Sequence, residues 1–142
     1  MNLWINTRAE GLYTCAQENE LANSQRPDIW LQHPHINSPV PIELKLLDKS
    51  WSGPDLCERL RNQLAGDYLR EETAGCGIFL LIWTGANTEK KNWRINGKLV
   101  DVAGLQLALV SYWTSISSQF PNVIDIDVVV VDLSMRSLKS NV

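Results

Sequence analysis

The sequence predicts an α/β domain with a mixed central sheet flanked by helices. Three observations carry this. Two strand-like runs are joined by turn residues over 27–47, which is a hairpin pattern. A continuous apolar run, CGIFLLIW at 76–83, has strand length and suits a central position buried on both faces. Two stretches of helical period, 52–72 and 101–119, separate that run from the strands on either side of it.

The elements follow in order. GLYTCAQ (11–17) reads as a strand, and PDIWLQ (27–32) as a second, with Pro27 at its start, where proline is tolerated. HPHINSP (33–39) is turn chemistry and leads into VPIELKLL (40–47), the hairpin partner. Ser52 caps the first helix, Asp55 completes a variant capping box, and Trp51 and Leu56 hold the two positions of a hydrophobic staple. Leu56, Leu60, Leu64 and Leu69 form its apolar stripe. GANTEKKNWRINGK (85–98) reads as a polar loop. The second helix presents Val102, Leu105, Leu109, Tyr112 and Ile116 on one face. VIDIDVVVVDL (123–133) is the last strand, with Asp125 and Asp127 facing water, and the tail after it is loose.

The chain of 142 residues reads as one domain, 1–142, with a core over about 11–133. No run reaches membrane-spanning length, and the N-terminus lacks a signal-peptide layout. The net charge of −3 argues against broad nonspecific nucleic-acid binding, yet it leaves room for a local basic patch. Cys15, Cys57 and Cys76 have neither disulfide-framework nor zinc spacing, which points to free thiols in a reducing cytoplasm.

The candidate site comes from three charges. Residues two apart on a strand share a face, so Glu43 and Lys45 project together, with Ile42, Leu44 and Leu46 on the other side in apolar packing. Hairpin register can bring Asp28 beside Glu43. Two adjacent carboxylates repel unless positive charge lies between them. Lys45 supplies one such charge, and a divalent cation would supply two more. A hard cation held by Asp28 and Glu43 polarises a phosphate and acidifies a bound water, while Lys45 stabilises the developing negative charge.

PD at 27–28, followed by ELK at 43–45 in an apolar strand, then a helix and a buried strand, resembles the PD-(D/E)xK nuclease superfamily, the restriction-endonuclease-like fold. The resemblance implies Mg²⁺-dependent hydrolysis of nucleic-acid phosphodiesters, with Mn²⁺ as a substitute. It makes Asp28 and Glu43 metal ligands, Lys45 the catalytic lysine and the Leu44 carbonyl a further ligand. QLAGDYL resembles the Gln-and-Tyr motif of exonuclease-like branches, which adds Gln63 to the catalytic set. Those branches separate the two residues by three positions, whereas four lie between Gln63 and Tyr68. The family core opens with a helix carrying another acid. Here Glu10, Glu18 or Glu20 would supply it, and the short start suggests the C-terminal part of a longer protein.

The resulting expectation is a metal-dependent endonuclease acting on nucleic acid, with DNA as the preferred substrate. It would work in the cytoplasm as a homodimer or fused to NTPase or sensor domains of a defence or repair protein. The alternative is a binding or assembly module that keeps the nuclease fold without turnover. The remaining candidates read as structural. His33 and His35 sit in a solvated turn. Lys90, Lys91, Arg94 and Lys98 around Trp93 suit a solvated loop better than a phosphate grip. Asp125, Asp127 and Asp132 have no partner acid or lysine spaced to use them.

Overall fold

Strand β3 (Ile36–Leu46) organises the molecule because it pairs on both edges and in both senses. On one side it runs antiparallel to β2 (Ile29–His33), which in turn pairs with β1 (Thr14–Ala16). On the other side it runs parallel to β4 (Cys76–Trp83), and β4 runs parallel to β7 (Asp125–Asp132). The sheet order is β1-β2-β3-β4-β7. The computed structural model describes residues 14–16, 28–69, 75–86 and 92–134. The protein is therefore α/β with a mixed central sheet. Among the described residues no helix is long and apolar enough to cross a membrane.

Parallel neighbours require crossovers. The β3–β4 crossover contains α1 (Gly53–Glu58) and a π-helical continuation, Arg59–Tyr68. The capping box forms as the sequence predicts. Ser52 Oγ accepts from the Asp55 amide at 3.1 Å, and the Asp55 carboxylate accepts from the Ser52 amide at 3.0 Å. The β4–β7 crossover contains a two-stranded hairpin and α2 (Val102–Ile116), whose N-cap Asp101 accepts from the Gly104 amide. A short 3₁₀ turn, Ser117–Gln119, ends it.

Three sequence expectations change. The turn spanning 33–39 shrinks to Pro34-His35, because His33 pairs with Ile36 and β3 absorbs the rest. The polar loop at 85–98 contains β5 (Asn92–Ile95), and β6 (Lys98–Asp101) follows it. Asn96 (φ 49°) and Gly97 (φ 77°) form the two-residue turn between them, of the positive-φ kind that matches strand twist. Strand β4 is central, but its burial alternates. Gly77, Phe79, Leu81 and Trp83 are buried, while Cys76, Ile78, Leu80 and Ile82 are only half-buried.

The buried side of β4 faces the π-helical segment. A Cβ on Gly77 would lie 3.0 Å from side-chain atoms of Leu64 and Leu69. One core results, built from Leu56, Leu60, Leu64, Phe79, Leu81, Trp93, Leu105, Leu109 and Val128 among others. Trp113 joins the α2 stripe as a buried residue, while Val102 and Tyr112 pack at its margin. Trp93 stands edge-on to Trp83 at 5.7 Å and donates from Nε1 to the Trp51 carbonyl at 3.2 Å. That tryptophan is core, and it ties the hairpin to the start of α1.

Two outcomes follow from this packing. Hairpin backbone presses on Gly53, where an added Cβ would fall 1.9 Å from the Arg94 carbonyl oxygen. Gly53→Ala is expected to destabilise the fold by about 3 kcal/mol in a denaturant titration. Burial also pushes the Cys57 thiol up to about 11. Its neutral form is favoured in the fold. That stability is complete below the ordinary thiol range and is lost as pH rises through about 11. At pH 8 the Cys57 thiol is expected to resist iodoacetamide in the native protein and to react in denaturant, read by peptide mass spectrometry.

Candidate active site

Strand alternation decides which face of β3 carries charge. Glu43, Lys45 and Leu47 point toward the helix-covered side, and Ile42, Leu44 and Leu46 point away from it. The sequence expectation inverts here, because the apolar side was expected to be the packed one. Glu43 is 1% exposed, while Leu46 remains 38% exposed. The acid lies under the helices, among the core.

A buried carboxylate needs compensation. Lys45 Nζ is ion-paired with Glu43 Oε1. The other oxygen, Oε2, is buried and, among the described residues, has no hydrogen-bond partner. Burial raises the Glu43 pKa above the usual carboxylate range. Lys45 pulls it back, Asp28 pushes it up again, and the nearby Tyr68 hydroxyl favours the ionised form slightly.

Asp28 arrives by register. Ile29 pairs with Ile42, so the residue before Ile29 lies level with Glu43. Asp28 is exposed, and its Oδ2 accepts from the Leu44 amide at 2.7 Å. That charge-assisted bond pins the acid to β3. The structure thus brings Asp28, Glu43 and Lys45 together. Among the described residues no group of three or more His, Cys, Asp or Glu side chains could hold a metal ion.

The π-helical segment supplies the roof. An α-helix would rotate residues five apart by about 140° relative to each other. The π winding bonds at that interval instead, as in the Leu69 amide to Leu64 carbonyl bond of 3.1 Å. Gln63 and Tyr68 therefore face one another, and Gln63 Nε2 donates to the Tyr68 hydroxyl at 2.6 Å. Gln63 is half-buried, as its position on the apolar stripe requires of an amide with a partner. Burial is the largest cause raising the Tyr68 pKa, and the Glu43 charge adds to it.

Two further residues close a ring. Lys45 Nζ lies 5.1 Å from the Trp51 ring centroid, and the Arg59 guanidinium lies 5.6 Å from it. Arg59 Nη1 reaches Gln63 Oε1 at 3.4 Å. Glu43, Lys45, Trp51, Arg59, Gln63 and Tyr68 thus form one connected ring of contacts. Trp51 reads from sequence as a staple and as core or interface rather than a ligand platform, and Arg59 goes unnoticed. The available signal is the spacing of Arg59 four residues before Gln63 on the same helix.

Other candidates fall elsewhere. The rings of His33 and His35 are 5.5 Å apart across the tight turn, where His33 Nδ1 accepts from the His35 amide. Arg94 and Lys98 are exposed on the hairpin, and Trp93 is buried, so no aromatic platform stands among them. Asp125 and Asp127 are exposed on β7, and Asp132 accepts from Ser134. Lys90, Lys91, Glu10, Glu18 and Glu20 lie outside the described residues, as does the side chain of Cys15. Cys57 and Cys76 are free thiols.

Tyr68→Phe removes the acceptor of the Gln63 amide. It is expected to lower stability by about 1 kcal/mol in urea denaturation. Tyr68→Phe combined with Gln63→Leu is expected to recover part of that loss, since no donor is then stranded.

No family model, curated protein or solved structure matches this chain.

Proposed function

We propose that this protein is a metal-dependent nuclease of the restriction-endonuclease-like type, hydrolysing phosphodiester bonds of nucleic acid, with DNA as substrate. One observation carries the reading: a carboxylate buried among core residues with an unpartnered oxygen, flanked by a second carboxylate and a lysine. A fold accepts such a costly group more readily for chemistry than for stability.

The donor set suits a hard divalent cation. Mg²⁺ takes one or two carboxylates and completes its shell with water and substrate phosphate. Asp28 and Glu43 would hold it, and Mn²⁺ would substitute. Bound there, the ion would supply Lewis-acid polarisation of the scissile phosphate and an acidified water. Lys45, held beside Glu43, would offer its ammonium to charge developing on the phosphate. The Glu43 carboxylate holds Lys45 in place, and Gln63 and Tyr68 brace the acid from the helix. The order of elements agrees with the family pattern: an acid opens β2, Glu-x-Lys lies in β3, and a helix leads to β4. The extra residue between Gln63 and Tyr68 is absorbed by the π winding, so the pair meets despite its unusual spacing.

A second reading has one observation in its favour. Asp28 Oδ2 is already held by the Leu44 amide and Glu43 Oε1 by Lys45, an arrangement that is self-sufficient without turnover. A binding module of nuclease fold would look the same.

Plasmid nicking and thermal shift separate the two. The wild type is expected to nick supercoiled DNA in Mg²⁺ or Mn²⁺ and to gain thermal stability from either ion. Asp28→Asn and Glu43→Gln are expected to lose both responses. Lys45→Ala is expected to keep the thermal response and lose cutting by about a hundredfold or more. A wild type that neither cuts nor responds to either ion, across DNA and RNA substrates, sinks the enzyme.

A further inference from the structure

We infer that Arg59, seated on Trp51, is a phosphate-binding residue at the rim of this site, taking a non-bridging oxygen of the nucleic-acid backbone beside the bond that is cut. This deepens the nuclease reading and rests on it for the identity of the ligand.

Arg59 is exposed, yet its guanidinium is held over the Trp51 ring, 5.6 Å from the centroid. Among the described residues no carboxylate pairs with it. Its hydrogen bond to Gln63 is long, at 3.4 Å. Arg61 and Arg94 differ: each makes a 3.0 Å bond, to Gln119 and to the Gly97 carbonyl respectively. A guanidinium has five donors in a planar fork that matches phosphate oxygens. Here most of that capacity is unspent, and contact with the indole reduces the ordering left for a ligand to impose.

The surroundings favour an anion. Trp51 gathers two cations, Arg59 and Lys45, and like charges at one ring repel unless negative charge is near. Glu43 answers Lys45 alone. A polyanion approaching Asp28 and Glu43 would also be repelled by those acids, and an unpaired arginine on the same rim offsets that repulsion. The ring of contacts places Arg59 two links from the catalytic lysine, through Trp51, and two links from Tyr68, through Gln63. It is exposed beside the buried acid's ring of contacts, and it is not one of the groups proposed to hold the cation.

The test is fluorescence anisotropy with a short fluorescein-labelled single-stranded DNA, in EDTA so that nothing is cut, across a salt series. Wild type, Arg59→Ala and Arg59→Lys are compared. Loss of one charged phosphate contact is expected to weaken Arg59→Ala binding about tenfold and to flatten the salt slope by about 0.7. Arg59→Lys is expected to keep the slope and recover only part of the affinity, since it keeps the charge without the fork. Equal affinity and slope in wild type and Arg59→Ala overturns the assignment, and so does a wild type that binds no oligonucleotide. Thermal melts confirm that the variants fold. If Arg59→Ala does not, Arg59→Lys decides by the same affinity comparison. The Mg²⁺ thermal shift, run in parallel, is expected to persist in Arg59→Ala. Its absence in the wild type counts against the nuclease and leaves the anisotropy result to decide on Arg59.

Discussion

The buried ion pair between Glu43 and Lys45 is the constraint around which the rest is arranged. A carboxylate removed from water inside a core is tolerated only when nearby groups offset its charge. Lys45 lies on the same strand face and does so on one side. The other oxygen is buried and, among the described residues, has no hydrogen-bond partner. A fold shaped for stability alone would place an apolar residue at that position, as it does four residues on at Leu47, on the same face, before the strand pairing gives way to a turn.

Several features of the fold make sense as support for that pair. Strand β3 is held on both edges, so its face cannot twist away. Asp48, just beyond it, accepts from both the amide and the hydroxyl of Thr84, which fastens the end of β3 to the end of β4. Trp51 follows, and its carbonyl is bonded by Trp93 of the small hairpin. The hairpin backbone lies so close to Gly53 that no side chain fits there. The start of the helix above the site is thereby clamped, and the residues that reach down from it inherit that rigidity. This is the usual requirement for a site that must hold charged groups in fixed geometry.

The π-helical winding is the least economical part of the roof. Such winding is rare and often found at functional sites. Its consequence here is local: it sets Gln63 opposite Tyr68 while Leu60 and Leu64 stay in the core. A regular helix would carry either the leucines or the polar pair to the wrong side.

Much of this was legible from the chain. The apolar run 76–83, the capping box at Ser52 and the pairing of Glu43 with Lys45 on one strand face follow from local chemistry, because neighbours in sequence determine them. Local pattern could not say which sheet face the helices cover, and so the inner and outer sides of β3 were exchanged. It took Asn96-Gly97 for part of a loop, since a short hairpin has too few alternating residues to stand out. It also had no means of seeing the ring that joins Lys45, Trp51, Arg59 and Gln63. The sequence by itself determined the main-sheet strands, the two crossover helices, their order and the candidate acid-acid-lysine set, but not the small hairpin or the π winding. Only the tertiary structure decided that the acid is buried, that Tyr68 meets Gln63, and that Arg59 lies over Trp51 with no carboxylate partner among the described residues. Each of those depends on how distant segments pack and on how one helix winds, and neither is written in the spacing of residues along a strand.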